Sequence, residues 1–399
     1  MKKNVVDVTG LGCICAAGNC LAEVMTALYS GTRNPKPSSR IQTGLAHAYP
    51  VFEVDSNLDD IANLKSDKPA TRTTKLALKA TLEALQHAQI EHKQLSRFRV
   101  GVCIGTTVGC TLNNEPFYRD FKSNKMPKCA AINGYIQNNT ALYLSDYFNL
   151  SGPAATIANA CSSGTDAIGL AKSWIENGLC EIAIAGGADE LSRITYLGFV
   201  SLLITSKQAC CPFDKNRSGL NLGEGAGIII LENSEIARSR GGKSLVEITG
   251  YGCGCDAYHP TAPHPNGIGL NYAINQVLHQ SCITPKEIGF INAHGTSTPD
   301  NDRVEGKTVA NIFPPNVPIV STKSYTGHTL GAAGGLEAVF TVQGLIDQKI
   351  PATAGFVEPD PDCICVPTTQ NTDVNTDFAL SNSLAFGGNN SALVFRRKS

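Results

Sequence analysis

The chain repeats itself, and that repeat limits its fold more than any other feature. VDVTGLGCIC at residues 6–15 returns as VEITGYGCGC at 246–255, with a valine, a threonine, two glycines and two cysteines kept in register. Looser echoes follow in the same order. RVGVCIGTT from Arg99 parallels EIGFINAHGT from Glu287, and AATIANACSSG from Ala154 parallels PIVSTKSYTGH from Pro318. Helix-like stretches begin at Gly164 and Gly331, and each half ends in two more strand candidates (EIAIAGGADE and GAGIIILE, then FALSNSLAFGG and NSALVF). Such self-similarity means two copies of one supersecondary plan. The apolar runs are short, β-branched and bounded by glycine, as buried strands are. Their alternation with amphipathic stretches makes strand-helix-strand units. The expectation is an α/β fold of two duplicated halves, 1–240 and 241–399, split near Ser239–Lys243. The first half carries a polar and aromatic insertion at about 113–147, of the kind that lines channels or subunit contacts. Equivalent strand ends of the two halves should share one crevice, between the turn after Ala160 and the turn after Ser324.

Composition narrows the function. With 399 residues, 42% of them hydrophobic and 17% charged, the chain has ample material for a core. Its 33 Lys+Arg against 34 Asp+Glu leave a net charge of −1. That excludes a global basic field, so nucleic acid is not expected, and an acidic partner must meet a local patch. No apolar run reaches 18 residues, so no membrane span is expected. Met1-Lys2-Lys3 resembles the start of a signal peptide, but Asp7, Gly10 and Gly12 break the apolar run behind it. The reading is a cytoplasmic protein with reduced thiols. Of the fifteen cysteines, Cys13/Cys15, Cys253/Cys255 and Cys363/Cys365 form Cys-x-Cys pairs, and no Cys-x-x-Cys occurs. These spacings suit zinc poorly, so no metal is expected and most thiols read as small core residues.

One thiol stands apart. In NACSSGTDAIGLA the chain leaves an apolar strand, turns at Ala160-Cys161-Ser162 and enters a helix. Backbone N–H groups and the positive end of the helix dipole favour a thiolate at Cys161. Small neighbours let a substrate approach. His294 closes the strand in FINAHGTSTPDND, and His328 lies between strand and helix in STKSYTGHTLGAAGG, five residues after Lys323. A lone histidine is usually structural. Two of them at strand ends of one half, beside a lysine, can donate to a developing oxyanion or move a proton. The glycine turn LAFGGNN from Leu384 lacks a phosphate-loop pattern, so nucleotide binding is not expected; it can instead offer a backbone N–H to an oxyanion.

Taken in order, NACSSGTDAI, NAHGTSTPDND, KSYTGHTLGAAGG and NSLAFGGNNSALVF resemble the β-ketoacyl synthase family of condensing enzymes, the elongating type most closely. PFDKNRSGLNLGEGAGIIILE from Pro212 and GCDAYHPTAPHPNG from Gly254 add to the resemblance, which spans nearly the whole chain. It implies the thiolase-like fold, a layered α-β-α-β-α arrangement of the two halves, and a homodimer or a heterodimer with a related subunit. It implies no cofactor. The partner it implies is an acyl carrier protein bearing acyl and malonyl groups. By motif, Cys161 is the nucleophile that takes the acyl chain. His294 and His328 assist malonyl decarboxylation, with Lys323 supporting them and Glu305 and Asp302 in the same network. The N–H groups of Cys161 and Phe386 form the oxyanion hole, Phe386 gates it, and Gly387 and Gly388 of the same turn are substrate-binding. Thr296 and Thr298 hold the pantetheine arm, and Val108 falls in the acyl pocket. An acidic carrier would dock on a basic patch drawn from Lys65, Lys68, Arg72, Lys122, Lys125 and Lys128.

The chain also departs from the family pattern. The family reads Phe-Gly-Phe-Gly-Gly-Thr-Asn where this chain has Leu384-Ala385-Phe386-Gly387-Gly388-Asn389-Asn390, a change that stiffens the gate. Cys211 stands where an arginine usually precedes Pro-Phe-Asp. A non-catalytic partner subunit would lack the nucleophile. A thiolase would place a second cysteine in Leu384–Asn390, and a chain-initiating synthase would not carry Lys323 five residues before His328. The pattern does not separate fatty-acid elongation from a specialised type II polyketide or polyene synthase.

Overall fold

The computed structural model describes residues 4–58, 61, 70–107, 115–129 and 139–398. Val108, Lys65 and Lys68 lie outside the described residues. Ten strands share one sheet: β1 (Val6–Cys15), β2 (Val100–Gly105), β3 (Ala154–Ile157), β4 (Ile182–Asp189), β5 (Gly225–Asn233), β6 (Val246–Cys255), β7 (Ile288–Asn292), β8 (Ile319–Val320), β11 (Phe378–Leu384) and β12 (Asn389–Arg397). A separate ribbon pairs β9 (Lys349–Ile350) with β10 (Thr372–Asp373).

The sheet runs β3-β2-β4-β5-β1-β6-β12-β11-β7-β8. It is a palindrome of the repeat. In the first half β3, β2 and β4 are parallel and β5 and β1 antiparallel to their neighbours; β8, β7, β11, β12 and β6 copy this in the second. The two leaves pair strand to strand where Asp7 faces Glu247 and Val8 faces Val246, in the very segments the sequence repeats. β4 and β5 are buried almost throughout, which explains their continuous rather than alternating hydrophobicity.

Helices fill the remaining layers: α1 (Leu21–Ser30), α2 (Arg72–His87), α3 (Glu115–Lys122), α4 (Thr140–Phe148), α5 (Ser163–Glu176), α6 (Arg193–Ser201), α7 (Ile268–Ser281), α8 (Pro299–Ile312) and α9 (Ala333–Asp347). α2 and α4 cover one outer face. Thr71 caps α2 at Thr74 N and Asn139 caps α4 at Leu142 N, and the apolar side of α2 (Leu76, Ala77, Ala80, Ala84) packs on β1, β4 and β5. α7 and α8 cover the other face, around Leu270, Ile274 and Val309. α5 and α9 lie between the leaves, in a core that joins Ile168, Trp174, Leu336 and Phe340 to strands of both halves. The result is the layered α-β-α-β-α order of a thiolase-like fold.

The two central helices cross at their first turns through glycine. A Cβ on Gly164 would lie 2.7 Å from Gly335 N and 2.8 Å from Gly331 O. This close approach brings two equivalent turns together, Ala160–Ser162 before α5 and Leu330–Ala332 before α9, each a single 3-10 turn.

Candidate active site

The parallel strands β3, β7, β8 and β11 all point their C-terminal ends at one crevice, where open α/β sheets place ligands. β3 leads to Cys161, β7 to His294, β8 to Lys323 and His328, and β11 to Phe386. Cys161, His294, His328, Phe386, Thr296 and Thr298 line one cavity of about 330 Å3.

Cys161 Sγ lies 3.1 Å from His328 Nε2. The Leu330 N–H donates to His328 Nδ1 at 3.3 Å. With Nδ1 occupied as an acceptor, the hydrogen sits on Nε2 and points at the sulfur. His294 repeats the arrangement by other means, since its Nδ1 lies 3.0 Å from Lys323 Nζ. An ammonium only donates, so His294 also keeps its hydrogen on Nε2. The two rings stand at 87° with centroids 5.2 Å apart. Both are held neutral: burial, and then the Lys323 charge, push His294 and His328 well below the ordinary imidazole range. The site therefore presents two neutral N–H donors, a device for negative charge that must form and then disperse.

Behind the histidines, Lys323 forms a fully buried ion pair with Glu337. Burial raises Glu337 to about 7 against the pull of Lys323. Glu305 sits on the other side. It accepts from His294 N and Gly295 N at 2.7 Å each and from Asn382 Nδ2 at 2.6 Å, and burial lifts it to about 7. Asp302 accepts from Phe213 N at 2.7 Å and Ser297 N at 3.1 Å. The Thr296 and Thr298 hydroxyls are 2.9 Å apart.

The resting charge of Cys161 differs from the sequence expectation. The helix start is there, but burial outweighs it and pushes the thiol up to about 12, against the Lys323 charge and the Phe386 N–H that pull it down. The resting sulfur is a thiol, placed so that the Phe386 N–H and His328 Nε2–H receive the anion. Phe386 stacks on Phe199 at 5.5 Å and 13°. Gly387 and Gly388 take φ of 81° and 79°, which only glycine adopts freely. The Gly387 N–H donates to Pro260 O and the Asp256 N–H to Gly388 O, both at 2.8 Å, so the gate turn is tied to the segment that follows β6.

One member of the expected basic patch is not free. Arg72 grips Glu224 through Nε at 2.9 Å and Nη2 at 2.8 Å, and donates to Val54 O at 3.0 Å. Its guanidinium is committed to the interior and is not a free docking charge. Lys122, Lys125 and Lys128 are exposed on α3 and just beyond it, and none of them lines the cavity. Sequence reasoning missed Glu337, Asn382 and Phe199. It also missed Asp166, which accepts from Ser162 Oγ at 2.9 Å, Asn159 Nδ2 at 3.0 Å and Tyr251 Oη at 2.9 Å, and from Ser391. The one available signal was a carboxylate set among small apolar residues, as in GGLEAV around Glu337 and GTDAIG around Asp166.

Family models agree with this site. Residues 3–237 match the beta-ketoacyl synthase N-terminal domain and residues 245–357 the C-terminal domain. The 3-oxoacyl-[acyl-carrier-protein] synthase 2 of Synechocystis is 36% identical over 411 residues, covering 100% of this chain and 99% of that protein. The ishigamide ketosynthase/chain length factor superposes with a TM-score of 0.93 at 28% identity, over 100% of both chains. A type II polyketide ketosynthase solved with its acyl carrier protein and a bound hexaketide superposes at 0.89 with 27% identity, again over 100% of both chains. The chain belongs to the β-ketoacyl synthase family of acyltransferases. Among the described residues no helix is long and apolar enough to cross a membrane.

Proposed function

We propose that this chain is a 3-oxoacyl-[acyl-carrier-protein] synthase that performs a decarboxylative Claisen condensation in type II fatty-acid or polyketide synthesis, in the cytoplasm. The observation that carries this is the single cluster of Cys161, His328, His294 and Lys323 at the floor of one cavity, contributed by both halves of the repeat.

The first step moves an acyl group from the carrier's thioester to Cys161. Sulfur attacks the carbonyl, the N–H groups of Cys161 and Phe386 take the oxyanion, and the thiol's proton leaves on the carrier's pantetheine sulfur. The second step cleaves the carboxylate–Cα bond of a malonyl thioester. CO2 departs, and the electron pair passes to the thioester oxygen as an enolate held by the Nε2–H groups of His294 and His328. Each such donor is worth about 10²–10³ in rate where charge develops. The enolate carbon then displaces Cys161 from the acyl group. The product is a 3-oxoacyl carrier two carbons longer, and the released thiolate takes up one proton. Neutral imidazoles suit this chemistry, because imidazolium would protonate the carbanion it is meant to stabilise. Burial and the Lys323 charge keep them neutral, while Lys323 sets the tautomer of His294 and the Leu330 N–H that of His328. Thr296 and Thr298 lie along the cavity wall where the pantetheine arm must pass.

A second reading makes the chain the catalytic member of a heterodimer in a specialised type II polyketide or polyene pathway. The likeness to a ketosynthase/chain length factor pair favours it, as do Leu384 and Ala385 in the gate turn. Intact-mass spectrometry after incubation with a panel of acyl-carrier thioesters tests both readings. We expect acylation on Cys161, lost in Cys161→Ala, while Cys161→Gln still releases CO2 from the malonyl carrier. Loading on another residue, or elongation by either variant, would overturn the assignment. Loading that requires an added partner subunit would select the second reading.

A further inference from the structure

One buried carboxylate close to the site has no part in the steps above. Asp189 ends β4, is wholly buried and does not line the cavity. A carboxylate taken out of water is costly unless donors surround it. The donors of Asp189 come from two places. Thr106 Oγ1 at 2.5 Å and the Thr107 N–H at 2.8 Å belong to the end of β2, and the Gly331 N–H at 2.7 Å belongs to the turn before α9. The two N–H groups share Oδ2, and the hydroxyl takes Oδ1. A side chain of the first half thus ties down a turn of the second.

That turn is the one His328 leans on. Leu330 holds φ of +56° without being glycine, a strained state that persists only where its neighbours enforce it. Gly331 follows, and a Cβ there would lie 2.6 Å from Thr107 N, so the turn is pressed onto the end of β2. The Leu330 N–H donates to His328 Nδ1, and His328 Nε2 lies 3.1 Å from Cys161 Sγ. Thr106 reaches the other kink as well. Its carbonyl oxygen lies 3.4 Å from Ser163 Oγ, which takes the Asn159 N–H at 2.8 Å and donates to Ala160 O at 2.6 Å. Resting on the condensation reading, we infer that Asp189 is a positioning residue: by pinning Gly331 to the end of β2 it holds the Leu330 N–H against His328 and so fixes the donor that faces Cys161.

The test compares two variants of the full chain. Asp189→Asn keeps the pin, since its amide oxygen accepts both N–H groups and its NH2 donates to Thr106 Oγ1, a hydroxyl that also accepts. Asp189→Ala leaves both N–H groups without that acceptor. Nitrogen NMR of the resting enzyme, labelled with 15N-histidine, reads the tautomer without any substrate. The parent and Asp189→Asn should show His328 with its hydrogen on Nε2, and Asp189→Ala a mixture of both tautomers. At saturating malonyl carrier, CO2 release per folded enzyme should fall about tenfold or more in Asp189→Ala while KM stays within about threefold, as expected when a preorganised donor is lost rather than binding. Asp189→Asn should recover the rate to within about threefold of the parent. Should Asp189→Ala not fold, Asp189→Ser, with one shorter acceptor, takes its place in both measurements. A residue that only supports the fold would lower the melting temperature and leave the tautomer alone. An unchanged tautomer in Asp189→Ala or Asp189→Ser, or an Asp189→Asn enzyme as slow as they are, overturns the inference. A parent that shows the expected tautomer yet neither acylates Cys161 nor releases CO2 overturns the functional reading instead.

Discussion

Replacing Lys323 by methionine separates what its charge does for the fold from what it does for the chemistry. The ammonium is buried between the Glu337 carboxylate and His294 Nδ1. Methionine fills nearly the same volume with no charge and no donor. Removing one member of a buried ion pair costs about 3–5 kcal/mol, because the partner is left uncompensated. Glu337 can escape part of that cost. It already sits at about 7 with Lys323 pulling it down, so without the lysine it holds its proton at neutral pH. The loss should therefore fall near the lower end, about 3 kcal/mol.

The chemical loss has a different source. His294 Nδ1 loses its only obligate donor, and the imidazole is free to place its hydrogen there, away from the substrate. A hydrogen bond from a charged group is worth about 1.5–3 kcal/mol, or about 10- to 150-fold in decarboxylation at 1.4 kcal/mol per decade. The double variant Lys323→Met/Glu337→Gln distinguishes the two losses. It replaces the pair with neutral groups and should recover most of the stability but none of the CO2 release. Urea unfolding and malonyl-carrier decarboxylation are the two assays. A double variant no more stable than Lys323→Met, or one that regains decarboxylation, would refute the division of roles.

Two further outcomes follow from the geometry. His328 touches the sulfur and His294 does not, so His328→Ala should slow acylation of Cys161 and CO2 release together, whereas His294→Ala should lose CO2 release and keep acylation within about tenfold of the parent. Single-turnover acylation against CO2 release reads this split, and equal losses in both variants would remove it. Glu305 is raised to about 7 by burial, so the folded protein holds a proton there that the unfolded chain releases above about 4.5, and this group subtracts stability as pH rises between those values. Glu305→Gln should therefore gain on the parent from pH 4.5 to 7 in urea titrations, and a constant difference across that window would contradict the raised carboxyl.

Much of the fold is legible because its repeat is written in apolar runs and glycines, and these are what a buried strand and a close helix crossing require. The equivalence of the two halves is less legible. The sequence pairs Gly164 with Gly331, yet the structure sets Ser163 at the start of α5 against Ala333 at the start of α9. Only the tertiary crossing of the two helices fixes that register. The nucleophile and its histidines stand out because they sit in turns after strands. Glu337 and Asn382 do not, since their meaning arises only when they meet Lys323 and Glu305 across 14 and 77 positions. The charge state of Cys161 fails for the same reason: a helix start can be read along the chain, but burial cannot. Arg72 looks like any surface arginine until Glu224, 152 positions away, folds beneath it.

The paired turns explain how a duplicated fold came to hold an asymmetric site. Ala160 and Leu330 occupy the same place in the two halves, and both adopt the left-handed backbone without being glycine, with φ of +49° and +56°. Strain of this kind persists only where the surroundings over-determine it. In the first half the turn lifts Cys161 to the floor of the cavity. In the second the equivalent position to Cys161 is Gly331, with no side chain to offer, and the turn acts through its backbone instead: the Leu330 N–H sets the tautomer of His328, and His328 faces Cys161. One inherited kink thus positions the nucleophile in one copy and orients its hydrogen-bond donor in the other. This is why neither half could carry the reaction alone.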